Sequence, residues 1–203
     1  MMKLVKRLGV VVLIIVFMTA CGHKKHHEAD HNGHGHVNSE ALTSTEVTKA
    51  TYETPQEFRE QLTFLFKQYL EVKDALVEGS NEKATRSAES LQGAAKALNI
   101  DLLKDAAYID VVHFQMEFIL AATDIGNLKD VEEQRNAFVS LTKTMYESIK
   151  AFGLDGTLQA YYDFCPMAFD DKGAHWLSHV KEIRNPYFGD KMLTCGMVQE
   201  VLK

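Results

Sequence analysis

Proline is scarce in this sequence. Pro55, Pro166 and Pro186 are all there is, and most of the twelve glycines lie outside the stretch between residues 54 and 153. That middle stretch therefore lacks the composition of a disordered segment. No alternating apolar and polar run reaches a useful strand length, and no segment repeats itself. Basic charge is not in excess either: 22 Lys and Arg stand against 28 Asp and Glu, a net charge of −6 with the signs mixed along the chain. This argues against the basic face that nucleic-acid binding needs. Catalytic motifs are missing as well. There is no Ser-His-Asp spacing, no phosphate-cradling glycine loop, no His-Glu-x-x-His run and no Cys-x-x-Cys pair. The expectation is a protein that is not an enzyme, with a redox enzyme working through Cys165 as the weakest alternative.

What is present divides into three. Residues 1–20 read as a signal peptide. Lys3, Lys6 and Arg7 form a positive start, Leu8 to Phe17 an apolar core, and Thr19-Ala20 small residues before Cys21. The segment is too short and wrongly flanked for a transmembrane helix. The run Met18-Thr19-Ala20-Cys21 resembles a bacterial lipobox. The resemblance implies cleavage before Cys21, lipid on its sulfur, and anchoring at the periplasmic or cell-surface face of a bacterial envelope membrane. An ordinary soluble export signal is the alternative. Residues 21–53 read as a flexible tether carrying His23, His26, His27, His31, His34 and His36, six of the nine histidines. Neutral imidazoles bind Cu(II), Zn(II) or Ni(II), so the tether suits loose metal capture without fixed geometry.

Residues 54–203 read as a helical domain. Thr54-Pro55-Gln56-Glu57 has the form of a capping box. Phe58, Leu62, Leu65, Phe66, Tyr69, Val72 and Leu76 then recur at helical spacing up to Gly79. Ser80 or Asn81 can cap a second helix with Ala84, Ala88, Leu91, Ala95 and Leu98 on its inner face. A third helix is expected from about Leu102 to Ala122, with Ile109, Val112, Met116, Ile119 and Leu120 as its stripe. Asp130 and Glu133 open a fourth, whose stripe is Phe138, Leu141, Met145, Ile149 and Phe152, and Gly153 stops it. Short helices are expected at Trp176–Ile183 and Met192–Leu202. The fold expected is all-α: an antiparallel four-helix bundle with a C-terminal Cys/Met-containing loop and short closing helices.

The chemistry concentrates between Cys165 and Cys195. Met167 lies two residues after the first cysteine, and Met192 three before the second. Helical spacing would put Met192 and Cys195 on one face, and an extended segment would do the same for Cys165 and Met167. Thiolate and thioether together suit Cu(I), or Ag(I) by analogy, far better than the oxygen-seeking metals. The same two cysteines, in an exported protein, can equally form a disulfide. Spacing leaves both readings open. His113 and Met116 share a helical face and form a secondary candidate pair, while His175 and His179 suit a surface or supporting role. Trp176, Asn185, Pro186, Tyr187 and Gly189 read as residues that shape the loop.

Cys165-Pro166-Met167-Ala168, Trp176-Leu177-Ser178, Ile183-Arg184-Asn185-Pro186-Tyr187-Phe188-Gly189 and Met192-Leu193-x-Cys195-Gly196 occur in that order, after Gln134-Arg135-x-x-Phe138. Over roughly residues 58–203 the chain resembles a bacterial all-helical domain long left without an assigned function. That domain occurs alone in exported lipoproteins and at the C-terminus of periplasmic adaptor subunits of copper/silver efflux pumps. The resemblance implies copper or heavy-metal handling outside the cytoplasm, a possible efflux-pump component as partner, and no enzymatic activity. Carried onto this chain, its ligands would be Cys165, Met167, Met192 and Cys195, with His113 secondary. The expected function is a lipid-anchored copper-binding protein that sequesters or hands over Cu(I). The alternative is a disulfide-stapled helical module that docks to an envelope or pump component.

Overall fold

A computed structural model of the protein describes residues 49–203. The leader, Cys21 and the six tail histidines lie outside the described residues. Four long helices come first: α1 (Gln56–Val77), α2 (Asn81–Lys96), α3 (Asp105–Asn127) and α4 (Val131–Phe152). Each packs on the next across a short connection, and α4 returns against α1. The expected stripes of α1, α2 and α4 are buried, from Phe58 through Leu76, Ala84 through Leu98 and Phe138 through Phe152. The small residues of α2 let its backbone lie close to its neighbours. Ser80 caps α2 by accepting from the Lys83 N–H, and Asp130 caps α4 by accepting from Glu132 and Glu133. The capping box at Thr54 does not form: Pro55 occupies the cap position without a side-chain bond, and the Thr54 hydroxyl turns back to the Tyr52 carbonyl. Among the described residues, no helix is long and apolar enough to cross a membrane.

The all-α expectation is overturned after Gly153. β1 (Ala160–Cys165), β2 (Ala174–Ser178) and β3 (Met197–Leu202) form an antiparallel sheet in the order β2-β1-β3. The short helix expected at Trp176–Ile183 is β2 followed by a bend. The closing helix expected at Met192–Leu202 is a turn followed by β3. These strands are dense in Tyr, Phe, Trp and Val, which fit a pleated, half-buried surface. Their alternation is hidden because β1 shifts register against β3 between Tyr162 and Asp163. Gly196 also rules out a helix there. Its φ is +148°, and a Cβ at that position would stand 2.6 Å from the Trp176 ring and 3.1 Å from the Phe164 carbonyl oxygen.

The third helix corrects a second expectation. Its buried face is Val111, Phe118, Ala122 and Ile125, whereas Ile109, Met116 and Leu120 are 69, 58 and 58% exposed. The helix is apolar on two faces, so periodicity alone cannot choose which one faces the core.

The sheet is fastened to the bundle by buried polar contacts as well as by apolar packing. The Tyr69 hydroxyl of α1 accepts from the Leu177 N–H at 2.9 Å and shares a hydrogen bond with Thr142 of α4 at 2.9 Å. Trp176 and Leu177 are wholly buried, and Tyr187 packs against Phe138 and Trp176.

Candidate metal centre

Cys165 ends β1, and its partner on β2 is Ala174. Its side chain is buried under the bundle. Cys195 reaches the same place by a different route. The chain leaves β2, bends, and makes the tight loop Asn185-Pro186-Tyr187-Phe188-Gly189. It then passes through the 3-10 turn Gly189–Lys191 and arrives at β3, beside β1. The two thiols, thirty residues apart in sequence, come close enough for Cys165 to raise the pKa of Cys195, and both are free cysteines.

The loop that delivers Cys195 is organised by Asn185, which is fully buried. Its side-chain amide donates to the Cys195 carbonyl at 2.8 Å, its amide oxygen accepts from the Tyr187 N–H at 2.8 Å, and its own N–H donates to the Leu193 carbonyl at 2.8 Å. Arg135 of α4 holds the other side, donating to Pro186 and to Leu76 at the end of α1. Gly189 permits this closeness: at φ +54° it leaves no room for a Cβ, which would sit 2.8 Å from both the Arg135 guanidinium and the Val77 carbonyl oxygen. Truncating Asn185 to Ala would remove these side-chain bonds and leave buried backbone groups unpaired, a loss of about 2 kcal/mol. Thermal unfolding of Asn185→Ala should therefore show a Tm several degrees lower; an unchanged Tm would mean the loop is held by something else.

The methionines flank the thiols through the backbone. The Met167 N–H lies near enough to the Cys195 sulfur to favour its thiolate, and the Met192 carbonyl accepts from the Cys195 N–H at 3.1 Å. Met192 is half-buried in a turn, not on a helix, so the one-turn geometry expected for Met192 and Cys195 does not apply. The Met167 side chain is exposed and lines a cleft of about 460 Å³ with Phe169, Tyr187, Phe188, Glu132 and Lys191. The backbone just beyond Met167 is strained. Phe169, Asp170 and Asp171 all have positive φ, 54°, 56° and 62°. Such a left-handed turn costs roughly 1–2 kcal/mol per residue and persists only where the surroundings impose it. Gly173 closes the turn against the Phe164 ring.

Burial pushes the Cys195 thiol up to about 11. The neighbouring Cys165 thiol adds to the rise, and the Met167 N–H partly offsets it. A metal arriving here must displace a firmly held proton, so its apparent affinity should rise with pH. Among the described residues no group of three or more His, Cys, Asp or Glu converges. The donors that the described residues bring together here are the two cysteine sulfurs.

The remaining candidates lie elsewhere. His113 is exposed on α3, where Nε2 pairs with Glu117 at 3.0 Å, and Met116 is exposed on the same face. His175 stacks on Tyr162 at 4.5 Å and bonds Gln199 at 2.9 Å, and His179 follows β2 on the surface.

Two residues near the site carry no motif that would mark them. Asp163, two residues before Cys165, is wholly buried, and neither carboxyl oxygen has a hydrogen-bond partner. The indole N–H of Trp176, its cross-strand neighbour, faces it without reaching hydrogen-bonding geometry. Burial lifts the Asp163 carboxyl to about 7, with Lys73 and the indole pulling back. Lys73, on α1, is itself buried and pairs with Asp74 at 2.7 Å.

No curated protein and no solved structure matches the chain. Residues 65–157 match a family described as "Protein of unknown function (DUF3347)". The match runs from the middle of α1 to just beyond α4, a little under half of the chain, and ends before Cys165. Over its helical part, then, the chain is similar to a domain family whose function has not been assigned.

Proposed function

We propose that this protein binds Cu(I) between Cys165 and Cys195 and serves, at the outer face of a bacterial membrane, as a sink or carrier in copper homeostasis or efflux. The observation that carries the reading is the meeting of these two thiols at the end of β1 and the start of β3. Two thiolates suit a d¹⁰ soft cation, and Met167 and Met192, adjacent through the backbone, are the candidates for further soft donors. The histidine tether, outside the described residues, would gather metal and raise its local concentration near the pair.

The test is an anaerobic Cu(I) titration against a competing chelator, on the whole exported chain with the six tail histidines replaced by alanine. One tight site is expected, lost in Cys165→Ser and in Cys195→Ser while the helical circular dichroism is kept. Unchanged affinity in both variants would overturn the proposal.

The same contact between thiols favours a second reading, a structural disulfide. Closing a loop of this length contributes about 3–4 kcal/mol in the chain-entropy model. Quantitative thiol labelling of the natively exported protein separates the two: two free thiols with copper uptake support the metal site, none without uptake the staple.

A further inference from the structure

The exposed face of α3 has an order that the described part of the fold does not use. Ala106, Ile109, His113, Met116 and Leu120 are all exposed, and their spacings of three, four, three and four residues are those of an a/d seam. The core-facing residues Val111, Phe118, Ala122 and Ile125 lie on another face, so the seam duplicates nothing inside the bundle. From Ile109 to Leu120 it runs about 16 Å along the helix axis. A strict a/d stripe is the narrow band that one further helix covers, and singly scattered surface residues do not produce one.

The flanks indicate what kind of helix. On the edge toward α4, Asp110, Glu117 and Asp124 recur every seven residues, at the position that faces a partner's flanking charges. The opposite edge carries Asp105, then Val112 and Ile119. Tyr52 donates to Asp110, and His113 and Thr144 both reach Glu117. Lys143 of α4, beside Glu117, is turned to Glu147 at 2.7 Å. The edge stays acidic. A second copy laid antiparallel would set Asp110, Glu117 and Asp124 against themselves, which disfavours that pairing.

We infer that the exposed face of α3 docks an amphipathic helix of another protein, with apolar residues at its a and d positions and Lys or Arg at the positions flanking them. The contact lies outside the Cys165/Cys195 site and does not depend on metal.

The probes are two synthetic three-heptad peptides with Leu at a and d, one with Lys and one with Glu at e and g; like charges keep each monomeric. Fluorescence anisotropy with the whole exported chain should show the Lys peptide binding about tenfold or more tightly than the Glu peptide. The double variant Ile109→Glu, Leu120→Glu changes only exposed side chains, so it should keep the wild-type Tm and lose binding of the Lys peptide. Cys165→Ser should bind that peptide like the wild type, which separates this surface from the metal reading. Binding of neither peptide, equal binding of both, or undiminished binding by the double variant would each overturn the inference. So would a dimer of the free chain in sedimentation that the double variant abolishes, because the face would then belong to a second copy.

Discussion

Arg135→Ala is expected to lose about 3–5 kcal/mol of stability. Arg135 is nearly buried, and its guanidinium spreads three ways: Nε to the Pro186 carbonyl at 2.8 Å, the second amine to the Leu76 carbonyl at 2.8 Å, and the first to Glu132 at 2.7 Å. One acceptor closes the end of α1, one belongs to the loop that delivers Cys195, and one lies on its own helix. Truncation would leave the Pro186 carbonyl unpaired, the Leu76 carbonyl with only backbone donors such as the Gly79 N–H, and the loop detached from the bundle. Lysine should not rescue the loss, because a single ammonium cannot span acceptors that a planar fork reaches. Urea unfolding reads this directly, and thermal unfolding should show Tm falling on the order of 10 °C. On the proposed Cu(I) reading, copper affinity should fall with it, since the thiols would no longer be held together. A wild-type midpoint for Arg135→Lys would remove the clamp from this account.

Asp163→Asn is expected to act in the opposite direction, and only at higher pH. In the unfolded chain this carboxyl ionises near 3.8; in the folded protein burial holds its proton up to about 7. Below pH 3.8 both states are neutral and no stability is lost through this group. As pH rises from 4 to 7 the unfolded state ionises while the folded state cannot, so folding loses stability at about 1.4 kcal/mol per pH unit. The loss reaches about 4 kcal/mol near pH 7 and levels off above it. Asparagine keeps the shape without the charge. Its advantage over the wild type should be close to zero at pH 4 and a few kcal/mol at pH 8, read from urea midpoints of both proteins at the two pH values. A difference independent of pH, or one that grows as pH falls, would mean that Asp163 is ionised in the folded protein.

The helical part of the fold was largely legible in the sequence. Phe58 to Leu76, Ala84 to Leu98 and Phe138 to Phe152 show one apolar stripe each, and one stripe has only one way to face a core. α3 was misread because it has two stripes. Ile109, Met116 and Leu120 satisfy helical spacing as well as Val111, Phe118 and Ile125 do, and only packing against α2 and α4 selects between them. The sheet was not legible because its strands are short, β1 breaks its alternation between Tyr162 and Asp163, and the need for glycine at 196 comes from Trp176 across the sheet.

The site divides in the same way. By itself the sequence determined which soft donors exist and that Asn185, Pro186, Tyr187 and Gly189 form a turn, because residue type and local backbone preference decide those. Only the tertiary structure decided that Cys165 and Cys195 face each other, that Arg135 and Asn185 hold them there, and that Asp163 lies buried without a partner. Each of these depends on strands pairing across intervals of 9 to 42 residues and on a sheet closing over α1 and α4. Such contacts are fixed by the packing of the whole domain, not by the neighbours of any one residue in the chain.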